Sequence, residues 1–190
     1  AVTGFELADI TVSNATAANL SGSGASYTFG LIPTSDGAIT ASIAAGAALD
    51  VAGNPSTASA VFSRTFDSVG PTVALASVST NPTNASSIPV TATFNESVTG
   101  FTIADIVATN ATVSTLSGSG TSYSFNLLPS GQGSGTAFVG GNVASDTAGN
   151  GNGASALFSR TFDSVAPSIV ISSAAANPTN LNPIPVTVGF

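Results

Sequence analysis

The sequence predicts an all-β protein made of tandem antiparallel β-sandwiches of about seven strands each, with no significant helix. The first observation is an internal repeat. Ala1–Phe94 aligns onto Ser97–Phe190 without a gap, at a period of 96 residues and with about half of the positions identical. A period of this length corresponds to a whole small domain. The second observation is that apolar residues alternate at period two in many short runs, and the third is that no run of useful length has the helical period.

The clearest strand in each copy is the last one. Phe62–Phe66 alternates large and small side chains and returns as Phe158–Phe162, and each strand is followed within a few residues by a proline, Pro71 or Pro167. Proline cannot donate to a central ladder, so it marks the exit from the strand. We therefore expect each copy to end here and to be joined to the next by a very short linker.

The domain limits follow from comparing the two copies. Residues 1–69 correspond to residues 97–165 of the second copy. The strand-like runs Thr72–Val78 and Ile88–Phe94 precede residues 97–165, whereas no such runs precede residues 1–69. We expect residues 1–69 to be the C-terminal part of a first repeat, 70–165 a complete repeat, and 166–190 the first two strands of a third.

In the complete repeat, strands and turns alternate in chain order. Asn81–Asn84 contains proline and asparagine and predicts a turn, and Ser117–Gly120 predicts a flexible one. Inward-facing positions are expected at Ile88, Val90, Ala92 and Phe94, and one shared face at Tyr123, Phe125 and Leu127. The predicted strands are Thr72–Val78, Ile88–Phe94, Ile103–Thr109, Ala111–Leu116, Thr121–Leu127, Gly133–Gly141 and Ala154–Asp163.

Composition excludes several classes of function. Charged residues make up only 6% of the chain, which argues against a highly charged disordered protein. The absence of Cys and His removes disulfides, thiol chemistry and nearly every transition-metal site, and we expect no enzyme activity. A net charge of −7, with two basic residues, has the wrong sign for nucleic acid. No apolar run approaches the length of a membrane span.

The few acidic residues recur across the repeat and suggest a calcium site. Calcium takes oxygen ligands from carboxylates, amide side chains and backbone carbonyls. Asp9 corresponds to Asp105, Asp50 to Asp146, and Asp67 to Asp163. The candidate ligands are Glu96, Asp105, Asp146, Asn150, Asp163, Asp9, Asp50, Asn54 and Asp67.

A purely structural interpretation competes with the calcium site. Asp-x-Ala-Gly-Asn is a good turn, since Asp and Asn bond their own backbone and Gly accepts a positive φ. We favour the turn for Asp50 and Asp146. For Glu96 with Asp105 both interpretations stay open, because Asp105 could instead cap backbone amides. Each arginine could pair with an acid of its own domain.

A set of motifs, present in the same order in both copies where the chain includes them, carries a family resemblance. In the second copy they are Phe94–Phe101, Ala104–Ile106, Asn110, Asp146–Asn150 and Phe162–Pro167. This succession resembles the bacterial immunoglobulin-like repeat domains, which occur in tandem arrays of secreted adhesins and cell-surface proteins. The resemblance implies an immunoglobulin-like sandwich, an extracellular or cell-surface location and a stalk or adhesive role. It also implies that calcium could stiffen the joints.

Two hypotheses of function follow. The first is a structural repeat segment of an extracellular fibre, stalk or adhesin, whose partners are copies of itself or neighbouring repeats. The alternative is a non-catalytic immunoglobulin-like accessory module of a large secreted enzyme. Residues 166–190 of one chain could also complete residues 1–69 of another by strand addition, although we favour a longer continuous protein.

Overall fold

The computed structural model describes all 190 residues, Ala1–Phe190, and they form an all-β structure, as predicted. The only helical segments are two short 3-10 helices, at Leu7–Asp9 and Ile103–Asp105. No helix has the length and apolarity needed to cross a membrane. The strands, in chain order, are β1 (Val2–Thr3), β2 (Ile10–Ser13), β3 (Ala15–Ser23), β4 (Ser26–Pro33), β5 (Gly37–Ile43), β6 (Leu49–Asp50), β7 (Phe62–Phe66), β8 (Val73–Ala76), β9 (Ile88–Val98), β10 (Ile106–Thr109), β11 (Ala111–Pro129), β12 (Gly133–Val139), β13 (Phe158–Phe162), β14 (Val170–Ser172) and β15 (Thr187–Gly189).

Strands β8 to β13 form two antiparallel sheets. One has the order β11-β9-β8 and the other β10-β12-β13. Their inner faces share one hydrophobic core of 15 buried residues, to which β9, β11, β12 and β13 all contribute. This two-layer packing around one core is a β-sandwich.

The predicted inward faces are confirmed. Ile88, Val90, Ala92 and Phe94 are at most 2% exposed, and Tyr123, Phe125 and Leu127 are buried opposite them in β11. Phe94, Phe101 and Tyr123 meet edge to face, with ring centroids 5.0–5.9 Å apart.

Several predicted strand limits were wrong. β9 continues four residues beyond the predicted end at Phe94, because pairing resumes between Gly120 and Val98 after a bulge. Ile103–Asp105, predicted as strand, forms a 3-10 helix closed by its own cap. The last strand begins at Phe158 instead of Ala154, since the backbone amide of Ser155 donates to the carbonyl of Val139 outside the ladder.

β11 spans two predicted strands and the turn between them. It corresponds to β3 and β4 of the first copy, and its two halves face each other. The hydroxyls of Ser117 and Ser124 lie 2.9 Å apart, and Asn126 Nδ2 donates to Thr115 Oγ1 at 2.9 Å. The reversal between them includes Gly118 at a φ of 109°, a conformation that favours glycine.

Residues on either side of the complete sandwich form partial structures. The first contains the sheet β2-β5-β7, the hairpin β3-β4 and the pair β1-β6. The last contains only the antiparallel pair β14-β15. The limits of the repeats at 69/70 and 165/166 stay a prediction.

Candidate metal centre at the joint between repeats

The structure brings together three of the predicted acidic residues. Carboxylate oxygens of Asp67, Glu96 and Asp146 lie within 4.8 Å of one another. Asp67 directly follows β7, Glu96 lies in β9, and Asp146 lies in the connection between β12 and β13. The cluster therefore joins the segment that follows β7 to two segments of the complete sandwich.

Asp146 is held by the turn that its own motif forms. Its Oδ1 accepts hydrogen bonds from the backbone amides of Gly149, at 2.7 Å, and Asn150, at 2.9 Å. Its Oδ2 accepts one from Asn150 Nδ2 at 2.9 Å. Burial opposes ionisation of this carboxyl, but the hydrogen bonds from Asn150 and its neighbours prevail and lower the pKa of Asp146. Both carboxylate oxygens of Asp146 are thus engaged by donors of its own turn.

The pKa of Glu96 is shifted in the opposite direction from that of Asp146. Burial, followed by the negative charges of Asp146 and Asp67, raises the pKa of Glu96 above its ordinary value. Both arginines are engaged elsewhere, since Arg64 donates to the carbonyl of Ser63, and Arg160 to those of Ser77 and Ser159. The arginines therefore bond backbone carbonyls and not the acids that the structural alternative allowed as partners.

The backbone packs closely beside the cluster. Asn150 Nδ2 also donates to the carbonyl of Asp67 at 3.1 Å, and the amide of Gly153 donates to the carbonyl of Pro71 at 2.8 Å. A Cβ on Gly70 would overlap the carbonyl of Gly151, so this approach requires glycine at residue 70. These contacts hold the linker against the loop that carries Asp146.

Two predicted ligands lie outside the cluster and cap 3-10 helices. Asp105 Oδ2 accepts hydrogen bonds from the backbone amide of Thr102 at 2.7 Å and from its hydroxyl at 2.8 Å. Asp9 Oδ2 accepts one from the amide of Glu6 at 2.8 Å. Both carboxylates satisfy amide donors at the start of a short helix.

The remaining predicted ligands, Asp50, Asn54 and Asp163, make the same local hydrogen bonds as their counterparts in or beside the cluster. Asp50 and Asn54 form the same turn as their counterparts, and hydrogen bonds from Asn54 lower the pKa of Asp50. Asp163 is exposed and accepts a hydrogen bond from the amide of Val165, just as Asp67 does from Val69. No second and third carboxylate join Asp50 or Asp163 in this structure.

Sequence reasoning missed Asn152, which supports the acidic loop. Its side chain is 2% exposed. Its Oδ1 accepts from the amides of Val143 and Ala144, and its Nδ2 donates to the carbonyls of Gly140 and Gly153, all at 2.8–2.9 Å. The repeat gave no signal, because the corresponding residue of the first copy is a serine.

The fold and the repeat agree with the comparison against protein families. The chain belongs to the bacterial Ig-like domain family, whose model matches residues 1–65 and again 67–161. No curated protein and no solved structure was found to match it. The resemblance predicted from the sequence is confirmed. Membership indicates a bacterial surface or extracellular repeat module of a typically non-catalytic kind.

Proposed function

We propose that this chain is a structural repeat segment of an extracellular fibre, stalk or adhesin, and that Ca²⁺ stiffens its joint through Asp67, Glu96 and Asp146. The observation that supports the proposal is the position of the cluster. Asp67 comes from the segment after β7, which we predict to end the first repeat, and Glu96 and Asp146 come from the complete sandwich. A ligand shared in this way resists bending between the repeats.

The chemistry of the cluster favours a hard cation. Three carboxylates lie within 4.8 Å of one another, with Asp67 and Glu96 half-buried and Asp146 buried. Burial, together with the repulsion between like charges at this separation, raises the pKa of Glu96. Calcium takes carboxylate oxygens as ligands, and its positive charge would offset the repulsion between the three carboxylates and link them.

The calcium bridge is tested by thermal unfolding of the full chain with Ca²⁺ and with chelator, at constant ionic strength. We expect Ca²⁺ to raise the Tm of the wild-type chain, by an amount that corresponds to about 2.7 kcal/mol when calcium is 100-fold above its Kd. Glu96→Gln should raise the Tm in chelator, because repulsion is relieved, and should abolish most of the response to Ca²⁺.

The matched control is Glu6→Gln, which removes the same charge from an exposed residue outside the cluster. It should respond to Ca²⁺ like the wild-type chain. An equal response of both variants to Ca²⁺ would show that the cluster does not bind the ion.

The structural role is tested by electron microscopy of native material with and without chelator. We expect long filaments with an axial repeat of one or two domains, which lose straightness in chelator. Isolated short particles that are indifferent to chelator would contradict this role and favour an accessory module of a secreted enzyme.

A further inference from the structure

Two Asn-Gly dipeptides follow one another in the loop between β12 and β13. They are Asn150-Gly151 and Asn152-Gly153, and the chain contains no other asparagine followed by glycine. An asparagine in front of glycine loses its side-chain amide readily, because glycine has no Cβ to hinder the attack of its backbone nitrogen on the asparagine side chain. Both dipeptides are therefore candidates for deamidation by sequence alone.

The reaction needs only water as a co-reactant. The backbone nitrogen of Gly151 bonds to Cγ of Asn150, and the side-chain nitrogen takes up the amide proton and leaves as ammonia. Water then opens the resulting succinimide ring at one of its two bonds between nitrogen and a carbonyl carbon. Opening at Cγ gives aspartate, and opening at the former backbone carbonyl gives isoaspartate. Either way, a neutral amide becomes a carboxylate.

The backbone amide of Gly151 is free to react. Gly151 lies opposite Ser145 in an isolated antiparallel bridge, and the two hydrogen bonds of this bridge are made by the residues on either side, at 2.9 and 3.2 Å. In this pattern the N–H of Gly151 points away from Ser145. It donates to no acceptor in the protein.

The side chain of Asn150 is half-buried and is held by its nitrogen. Nδ2 donates to the carbonyl of Asp67 at 3.1 Å and to Oδ2 of Asp146 at 2.9 Å. Rotation of the side chain towards Gly151 must break these two hydrogen bonds and no other of this side chain.

The second dipeptide is protected by the fold. Asn152 is 2% exposed, and its side chain makes four hydrogen bonds of 2.8–2.9 Å. The amide of Gly153, which would be the attacking group, donates to the carbonyl of Pro71 at 2.8 Å. The reaction at Asn152 must therefore break the four hydrogen bonds of the side chain and also that of the attacking amide.

We infer that Asn150 is a site of spontaneous deamidation in the folded protein and that Asn152 is not. The difference comes from the fold and not from the local sequence, since glycine follows both asparagines. The inference goes beyond the proposed function and does not depend on calcium. All samples in its tests therefore contain chelator.

Deamidation of Asn150 alters the acidic cluster. A carboxylate at this residue has acceptors only, so the hydrogen bonds to the carbonyl of Asp67 and to Asp146 are lost. The new negative charge also lies beside that of Asp146 and is repelled by it. Without a cation, the modification therefore weakens the contact between the segment after β7 and the loop that carries Asp146.

The first test ages the full chain at mildly alkaline pH and follows both asparagines by peptide mapping with tandem mass spectrometry. Fragment masses distinguish conversion of Asn150 from conversion of Asn152. We expect Asn150 to convert more than about tenfold faster, because more hydrogen bonds must open before Asn152 can react. Equal rates at the two residues would overturn the inference.

The same chain aged in urea is the control for local sequence. Without the fold, Asn150 and Asn152 should convert at similar rates, since each has glycine after it. If Asn150 stays an amide in the folded chain over a time in which the urea sample converts, the inference is refuted.

The first copy supplies a matched variant that cannot form the ring. Asn54 makes the same turn as Asn150 but precedes Pro55, which has no N–H and cannot attack. A Cβ at residue 151 would overlap Oδ1 of Asn142, whose counterpart in the first copy is glycine. The double variant Asn142→Gly/Gly151→Pro therefore reproduces the turn of the first copy.

Asn150 should stay an amide in this double variant during ageing. Conversion at the wild-type rate would show that Gly151 is not the attacking group and would overturn the inference. Thermal unfolding in chelator then measures the effect on the cluster. The Tm of the wild-type chain should fall as Asn150 converts, and Asn150→Asp should have a lowered Tm from the start, whereas the Tm of the double variant should not change on ageing. A converted chain with an unchanged Tm would refute the effect on the cluster.

Discussion

The loop that carries Asp146 depends on a single buried side chain, Asn152. The substitution Asn152→Ala removes four hydrogen bonds, to the amides of Val143 and Ala144 and to the carbonyls of Gly140 and Gly153. We expect the loop to loosen and the complete repeat to lose stability, while the strands of the sandwich persist.

The size of this stability loss depends on which hydrogen-bond partners of Asn152 water can reach in the variant. Gly153 is exposed, and Gly140 and Val143 are half-buried, so these groups recover part of the loss by hydration. Ala144 is 5% exposed, and its amide is left unpaired. A buried donor without a partner costs about 1–3 kcal/mol and each ordinary hydrogen bond about 0.5–1.5 kcal/mol. Together these give a loss of about 3 kcal/mol in the free energy of unfolding.

Urea unfolding followed by circular dichroism measures this loss, and hydrogen exchange at the amides of Val143 and Ala144 locates it. The control is Asn126→Ala, which loses one hydrogen bond to the exposed side chain of Thr115 and should cost about 1 kcal/mol or less. An Asn152→Ala variant as stable as this control, with unchanged protection of Val143 and Ala144, would refute the role assigned to Asn152.

Three further outcomes follow from the structure. Phe94→Ala should lower the free energy of unfolding by about 3–5 kcal/mol, because its ring is 2% exposed. Phe190→Ala should leave it unchanged in urea unfolding at low concentration, because that ring is 85% exposed, and equal losses would contradict this. In chelator, the free energy of unfolding should fall as the pH rises from 4.5 through the raised pKa of Glu96, because the folded chain holds that proton more tightly than the unfolded chain. Glu96→Gln should remove this fall, and a variant with an unchanged pH profile would disprove the role of Glu96 in it. Arg160→Ala should lower the free energy of unfolding, measured by thermal unfolding, by about 1–3 kcal/mol. The guanidinium lies 4.8 Å from the centroid of the Phe158 ring and donates to the carbonyl of Ser77. A variant as stable as the wild-type chain would contradict the contribution of both contacts.

Most of the fold could be predicted because its signals are local. Alternation in β9 and β11 identified the buried faces, and the repeat at 96 residues fixed where each element returns. The errors occur where pairing or capping over a few residues decides the limit of an element. β9 continues to Val98 because a partner strand is available, and Ile103–Asp105 turns because Thr102 and Asp105 cap each other.

The site could be predicted only in part, because recurrence in both copies identifies a residue but not its neighbours. Asp105 and Asp146 recur equally well, yet Asp105 caps a helix and Asp146 joins the cluster. Recurrence carries no information on Glu96, because its counterpart would precede Ala1. Its role is defined by tertiary contact with Asp67 and Asp146. Supporting residues such as Asn152 carry no repeat signal at all.

The cluster depends on contacts between segments far apart in the chain, because Asp67 follows β7 whereas Glu96 lies in β9 and Asp146 lies between β12 and β13. Asp50 sits in the same turn as Asp146 and also has a lowered pKa, so the turn by itself holds one carboxylate in place. Asp67 and Glu96 approach Asp146 from other segments of the chain. A cation at this site would stabilise the folded chain and would also restrain the angle between the proposed repeats. In the proposed fibre, each further repeat would add one such joint. The stiffness of the fibre would then depend on the joints and on the calcium concentration around them.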